Sequence, residues 1–292
     1  MSKFTKSLCK IAIPVTLQSM LQASFSIIDQ VMIGQLGETN ISAVGLCGNF
    51  SLIFSVVIGA VGTVAGILIA QFIGADDTKE AWCSFDVSFI CGIIIAAMFL
   101  LASGVFSSQI LSLYTKDMSI ISTGEVYFRI VAFSYIPMAI SNILSAWLRC
   151  KEHAVIPFAA SFVAVAVNTE LNYLLIFGKC GFAPMGIKGA AIATLISQLF
   201  NLVCIGIGFM VCIQKDEDKP VLAFHFEKIS LGNYFIMIMP ILVSEFLWSL
   251  GQNVESAVYG HLGTSNLAAY TLTCPIQGLI VGALSGLSAA AG

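Results

Sequence analysis

Charge is scarce in this sequence. Only 10% of its 292 residues are Asp, Glu, Lys or Arg, against about 25% in an average soluble domain. So few charges cannot clothe a chain of this size in water, which excludes an ordinary soluble globule. There is no basic stripe interleaved with aromatics, so nucleic acid is not an expected partner. Histidine occurs three times, at His153, His225 and His261, without the spacing of a ligand set. None of the nine cysteines falls in a C-x-x-C pair, so a disulfide scaffold or metal cluster is not expected, and these residues read as small apolar side chains. A nucleophile elbow, a phosphate loop and a metalloprotease pair are all missing, which argues against an enzyme.

Apolar residues are abundant, at 58% of the chain with a mean hydropathy of +0.95. Crossing about 30 Å of hydrocarbon takes about 20 such residues. Suitable stretches fall near 8–33, 41–73, 81–106, 119–148, 155–177, 187–213, 231–259 and 267–292, so the fold class is all-α and polytopic. The first stretch follows Lys3, Lys6 and Lys10 but lacks a small-residue cleavage site and carries Pro14 and Asp29; it reads as a membrane helix, not a signal peptide. Placing the N-terminus in the cytoplasm puts nine Lys and Arg residues, Arg149 among them, on the inside, and four, including Arg129, on the outside. A multi-pass protein of the plasma membrane with a cytoplasmic N-terminus is expected. Pro14, Pro137 and Pro240 could each interrupt a helix.

The chain repeats itself. An offset of 226 residues pairs Pro14 with Pro240, Asp29 with Glu255, Leu36 with Leu262, Gly37 with Gly263 and Asn40 with Asn266. Six spans separate the copies, so both cross the bilayer in the same direction, as in the parallel repeats of some secondary transporters. Residues 1–213 then form a six-helix N-terminal lobe, 214–230 a charged cytoplasmic linker, and 231–292 the first two helices of a second lobe. A second unit as long as the first would run well past Gly292, so a fragment of a longer protein is expected.

Polar groups at membrane depth need a reason, since an ionisable one costs roughly 2.5–3.5 kcal/mol on insertion scales. Gln18, Gln22, Ser26 and Asp29 follow one another at spacings of 4, 4 and 3 and share one helix face, which suits a water-filled cavity. An interfacial carboxylate reaching up to water is the simpler alternative. In "NTELNYLLIFG", residues 168–178, Asn168 and Asn172 share a face while Glu170 points about 200° away from Asn168; plain interhelical hydrogen bonding would also explain the two amides. Glu245, Trp248, Gln252 and Glu255 form a third stripe, with two carboxylates and an aromatic surface for an organic cation, although packing alone could explain Trp248. Gly62 and Gly66 read as a helix-packing G-x-x-x-G.

"IPVTLQSMLQASFSIIDQVMIGQLGETNISAVG", "AQFIGADD", "NTELNYLLIFG" and "YGHLGTSNLAAY", taken in this order, resemble the multidrug and toxic compound extrusion (MATE) transporters. The resemblance covers essentially the whole chain. It implies twelve helices in two six-helix lobes and an antiporter that is monomeric when full length. Such proteins sit in the lipid bilayer and expel small organic cations or drugs in exchange for Na⁺ or H⁺, with no cofactor beyond the coupling ion. Asp29 matches the family's first-helix cation or proton ligand, and Asn168 a fifth-helix Asn of that site. Asn172 falls where one branch has Asp and another Asn, with Glu170 as a substitute carboxylate. Trp248 stands where some members carry a Na⁺-linked Glu, a role that Glu245 would take here. Gln18, Gln22, Glu245, Trp248, Gln252 and Glu255 would line the substrate path. The alternatives are a flippase for lipid-linked oligosaccharides, disfavoured because Arg129 reads as the one cation at membrane depth, and a truncated remnant that does not transport.

Overall fold

Ten α-helices form from the apolar stretches in the computed structural model, which describes residues 3–215 and 231–291. They are α1 (Lys3–Gly34), α2 (Glu38–Gly74), α3 (Thr78–Val105), α4 (Ser107–Tyr114), α5 (Met118–Val131), α6 (Tyr135–Cys150), α7 (Val155–Phe177), α8 (Ile187–Lys215), α9 (Leu231–Leu262) and α10 (Thr264–Ala291). Among the described residues, five stretches are long and apolar enough to cross a membrane: α2, α3, α5 and α6 taken together, α7, and α8. The expected linker lies outside the described residues over 216–230.

Two departures from the sequence expectation are local. The span expected at 119–148 is broken by a 3₁₀ turn, Ala132–Ser134, three residues ahead of Pro137. Pro137 has no N–H to offer the Phe133 carbonyl four residues back, and within the turn the Tyr135 N–H bonds the Ala132 carbonyl while the Ser134 hydroxyl donates to that of Val131 at 2.6 Å. Pro14 and Pro240 lie inside helices that continue past them. The second departure is α4, eight residues long and too short to register as a membrane segment.

The repeat is visible atom by atom. Gly37 and Gly263 both adopt positive φ, +101° and +119°, a conformation open to glycine and costly for other residues. The Gly37 carbonyl accepts from the Ile41 N–H (3.3 Å) and that of Gly263 from the Leu267 N–H (3.1 Å). The Asn40 amide then donates back to the Leu36 carbonyl (2.8 Å), and Asn266 does the same to Leu262 (3.1 Å). One turn chemistry thus closes both helix pairs and satisfies a carbonyl that the helix end would leave open.

Packing leaves apolar clusters at the two ends of the bundle. At one end, Trp82 and Trp147 lie 4.1 Å apart between ring centres, flanked by Phe85 and Phe209, and Tyr234 and Ile238 of α9 join the cluster. At the other, Ile33, Leu46, Phe128 and Ile176 meet Leu267 of α10. The outer faces are apolar too: Leu101, Ile207 and Met210 are 64%, 62% and 62% exposed, as a lipid-facing surface requires. At the start of α10, Asp117 accepts from the Ser119 N–H (2.9 Å) and the Thr264 hydroxyl (3.1 Å), and the Thr264 carbonyl accepts from Ser42 of α2 (3.1 Å). Hydrogen bonds from Ser119, above all, hold the Asp117 carboxyl below the usual aspartate range.

Because the two turns share one hydrogen-bond pattern, Asn40→Ala and Asn266→Ala should each destabilise the fold by about 1 kcal/mol. Thermal unfolding in detergent checks this. No loss for either variant would contradict the capping role.

Candidate functional site

Helices α1 and α7 run parallel and in register. Gln18 donates to the Ser161 hydroxyl at 2.7 Å, and the Asn172 amide donates to Asp29; both pairs are separated by 143 residues in sequence. Eleven residues, roughly 16 Å of helix, separate the two rungs. The carbonyls and N–H groups of α1 and α7 are spent within their own helices, so the side chains at these depths must find partners across the interface.

Asp29, Asn168 and Asn172 form one network. The Asn172 Nδ2 group also reaches the Asn168 Oδ1 (3.2 Å), and the Asn168 amide donates to Ser197 of α8 (3.4 Å). Asn172 is 1% exposed and its Oδ1 has no hydrogen-bond partner. Its amide therefore points donors at the carboxylate while a buried carbonyl oxygen remains free close by, a pairing of oxygens suited to a small hard cation. Glu170 is exposed on the far side of α7 and joins none of this.

Two cavities meet at Asp29. One, of about 570 Å³, lies inside the N-terminal lobe; Gln18, Gln22, Ser26 and Asn168 line it together with polar residues of α6 and α8. The other, of about 600 Å³, lies between the N-terminal lobe and α9–α10, where Trp248 and Gln252 face Asn49 and Tyr270. Asp29, Ser26, Thr194 and Gln198 line both. Glu245 and Glu255 are exposed on α9 and line neither, so the third sequence stripe is divided: its aromatic and amide face the cleft and its two carboxylates do not. No group of three or more acidic, Cys or His side chains able to hold a metal occurs among the described residues.

Several lining groups went unread in the sequence. Ser141, Asn142 and Ser145 of α6 and Gln198 and Asn201 of α8 all face the inner cavity, as does Arg149. The signal was available, since Ser141, Ser145 and Arg149 follow the same i, i+4 spacing that marked α1. Arg149, counted among the charges of a cytoplasmic segment, sits in the last turn of α6 and also lines the cavity. Arg129, taken as the cation at membrane depth, pairs with Glu125 at 2.6 Å. The Gly62 face approaches the Asn142 carbonyl so closely that a Cβ would collide with it, and Cys150 donates to the Gly66 carbonyl at 3.2 Å. The G-x-x-x-G therefore seats α6 with its polar face toward the cavity.

A helical membrane protein in which a polar chamber and a largely apolar cleft share a wall at one carboxylate is the class that this geometry defines. The chain belongs to the MatE family, whose sequence profile matches residues 14–174. It is 26% identical over 291 residues to a probable multidrug resistance protein NorM of Thermotoga maritima, covering 98% of this chain and 61% of that protein. It is also 26% identical over 277 residues to a probable multidrug resistance protein YoeA of Bacillus subtilis, covering 91% and 58%. Among solved structures, a MATE in complex with MaL6 superposes with a TM-score of 0.81 at 19% identity, covering 99% of this chain and 64% of that one. A transporter of the MOP superfamily from Pyrococcus furiosus, described as having a binding pocket of reversed polarity, gives 0.81 at 18%, covering 99% and 63%. The chain spans about three fifths of the length of these relatives.

Cysteine substitution tests the assignment of faces. On a background without other reactive cysteines, Gln22→Cys should react with a hydrophilic methanethiosulfonate at least about tenfold faster than Glu170→Cys, because reaction needs a thiolate in contact with water. Equal rates would contradict a water-accessible cavity beside α1.

Proposed function

We propose that this chain is part of a secondary antiporter that exports organic cations or drugs in exchange for Na⁺ or H⁺. The observation that carries the reading is the position of Asp29 in the wall shared by both cavities. A carboxylate in a partly dry chamber is costly to keep charged. A proton, a Na⁺ or an organic cation each offsets that cost, so the three compete for one acid, and release of one follows arrival of another. Rocking of the lobes around this point converts competition into directional exchange. The names of the Thermotoga and Bacillus relatives support the substrate class. Asn168 and Asn172 hold the carboxylate in place, and Trp248 offers a cation a flat aromatic surface in the cleft. The N-terminus is cytoplasmic and the protein lies in the plasma membrane. Arg149 is the one cation among the lining groups of the inner cavity, whereas a flippase for a lipid-linked oligosaccharide would need several to hold a pyrophosphate.

The experiment is efflux of a fluorescent organic cation from cells expressing the protein that carries this chain, under separately imposed Na⁺ and proton gradients. Asp29→Asn, at equal membrane abundance, should lower gradient-driven efflux at least about tenfold, and the gradient that drives the wild type names the ion. Undiminished efflux by Asp29→Asn would reject the mechanism.

A further inference from the structure

The outer face of the α1–α7 seam carries a groove that shares no lining residue with the two chambers. Ile28 and Tyr173 are the sequence neighbours of Asp29 and Asn172. One residue turns a helix by about 100°, so the Asp29–Asn172 pair points inward while these two side chains point out, Ile28 40% and Tyr173 49% exposed. With Val31 and Phe177 they wall a depression of about 660 Å³, and Gln35 and Lys179 stand at its end.

The backbone holds Lys179 there. Gly178 closes α7 with a φ of +65°, and the Lys179 N–H donates to the Leu174 carbonyl at 3.1 Å, as in a Schellman turn. The loop then folds over the helix end. The Met185 N–H donates to the Leu175 carbonyl at 2.9 Å, and a Cβ on Gly178 would collide with Pro184. No acidic residue occurs between Glu170 and Asp216, and Glu170 lies nine residues before Lys179, roughly 14 Å along the chain if helical. Among the described residues no carboxylate pairs with Lys179. Phe182 and Met185 of the same loop are exposed, which suits the boundary between headgroups and acyl chains.

An apolar furrow on a lipid-facing surface takes an acyl chain, and an ammonium at its mouth attracts a phosphate. A zwitterionic headgroup brings its own cation with the phosphate. An anionic headgroup brings the net negative charge that Lys179 lacks. We propose that this groove binds an anionic phospholipid, its phosphate on Lys179 and Gln35 and one acyl chain along Ile28, Val31, Tyr173 and Phe177. The lipid lies against the seam on the side opposite the Asp29–Asn172 contact and braces it from outside. The site requires only that these helices lie in a bilayer and is independent of antiport.

Tryptophan quenching tests it in the protein that carries this chain, reconstituted in phosphatidylcholine vesicles. Tyr173→Trp places a reporter in the groove, and the signal of the protein without it is subtracted. Dibrominated phosphatidylglycerol should quench the reporter with an association constant about fivefold above that of dibrominated phosphatidylcholine with the same chains. Lys179→Gln should bring that ratio to about one, whereas Lys188→Gln, a lysine outside the groove, should leave it unchanged. Soluble glycerol 3-phosphate should not alter it. Equal association of the two lipids, a preference that survives Lys179→Gln, or an equal loss in Lys188→Gln would each overturn the site. A preference abolished by glycerol 3-phosphate would reveal a site for free phosphate, and a reporter quenched by neither lipid would reveal a groove covered by protein; both results reject the proposal.

Discussion

The contact between Asn172 and Asp29 is the constraint on which the rest depends. It ties α1 to α7 at one depth, and the Gln18–Ser161 bond repeats the tie at another, with the same separation in sequence. Two rungs fix both the register and the rotation of α1. That rotation turns Gln18, Gln22, Ser26 and Asp29 toward the chamber and leaves Ile13, Leu17, Met20 and Val31 on the exposed surface. Without the rungs, a polar stripe on an otherwise apolar helix would have no reason to prefer one wall over another.

Hydrophobic packing contributes differently. The Trp82–Trp147 cluster and the Ile33–Phe128 cluster sit at opposite ends of the bundle, and between them a third apolar cluster around Phe54, Ile58 and Tyr135 accompanies the polar chamber. Small residues at the α2–α6 contact let Asn142 and Cys150 approach the backbone, which aims the α6 stripe inward. That chamber, of about 570 Å³, is lined by both Asp29 and Arg149. Asp29 lies in the wall shared with the interlobe cleft, so one side chain borders both.

Much of this was legible in the residues, and for physical reasons. Hydropathy marks membrane spans because lipid imposes one length and one composition, so the long helices fell near their expected positions. The repeat and its turns were readable because Gly37 and Gly263 meet a backbone requirement that few other residues satisfy. Helical spacing likewise separated Glu170 from the two asparagines beside it. What escaped was set by tertiary partners. Nothing near Gln18 announces Ser161, 143 residues away. The break before α6 depends on Ser134 as well as Pro137. Arg149 was assigned to a loop because positive charges near span ends usually serve topology, and only the packing of α6 shows its guanidinium in the chamber. The stripe on α9 was half resolved, since periodicity cannot say how wide a facing cleft is.

The central claim is that a proton or Na⁺ and an organic cation exclude each other at Asp29. The direct measurement adds tetraphenylphosphonium to purified protein in weakly buffered detergent solution, following proton release with a pH dye and repeating the titration across Na⁺ concentrations. Linkage requires that binding of the organic cation release about one coupling ion per molecule bound, or weaken as that ion is raised, and that both effects vanish in Asp29→Asn. Tight binding of tetraphenylphosphonium that releases no proton, ignores Na⁺ and survives Asp29→Asn would contradict the account.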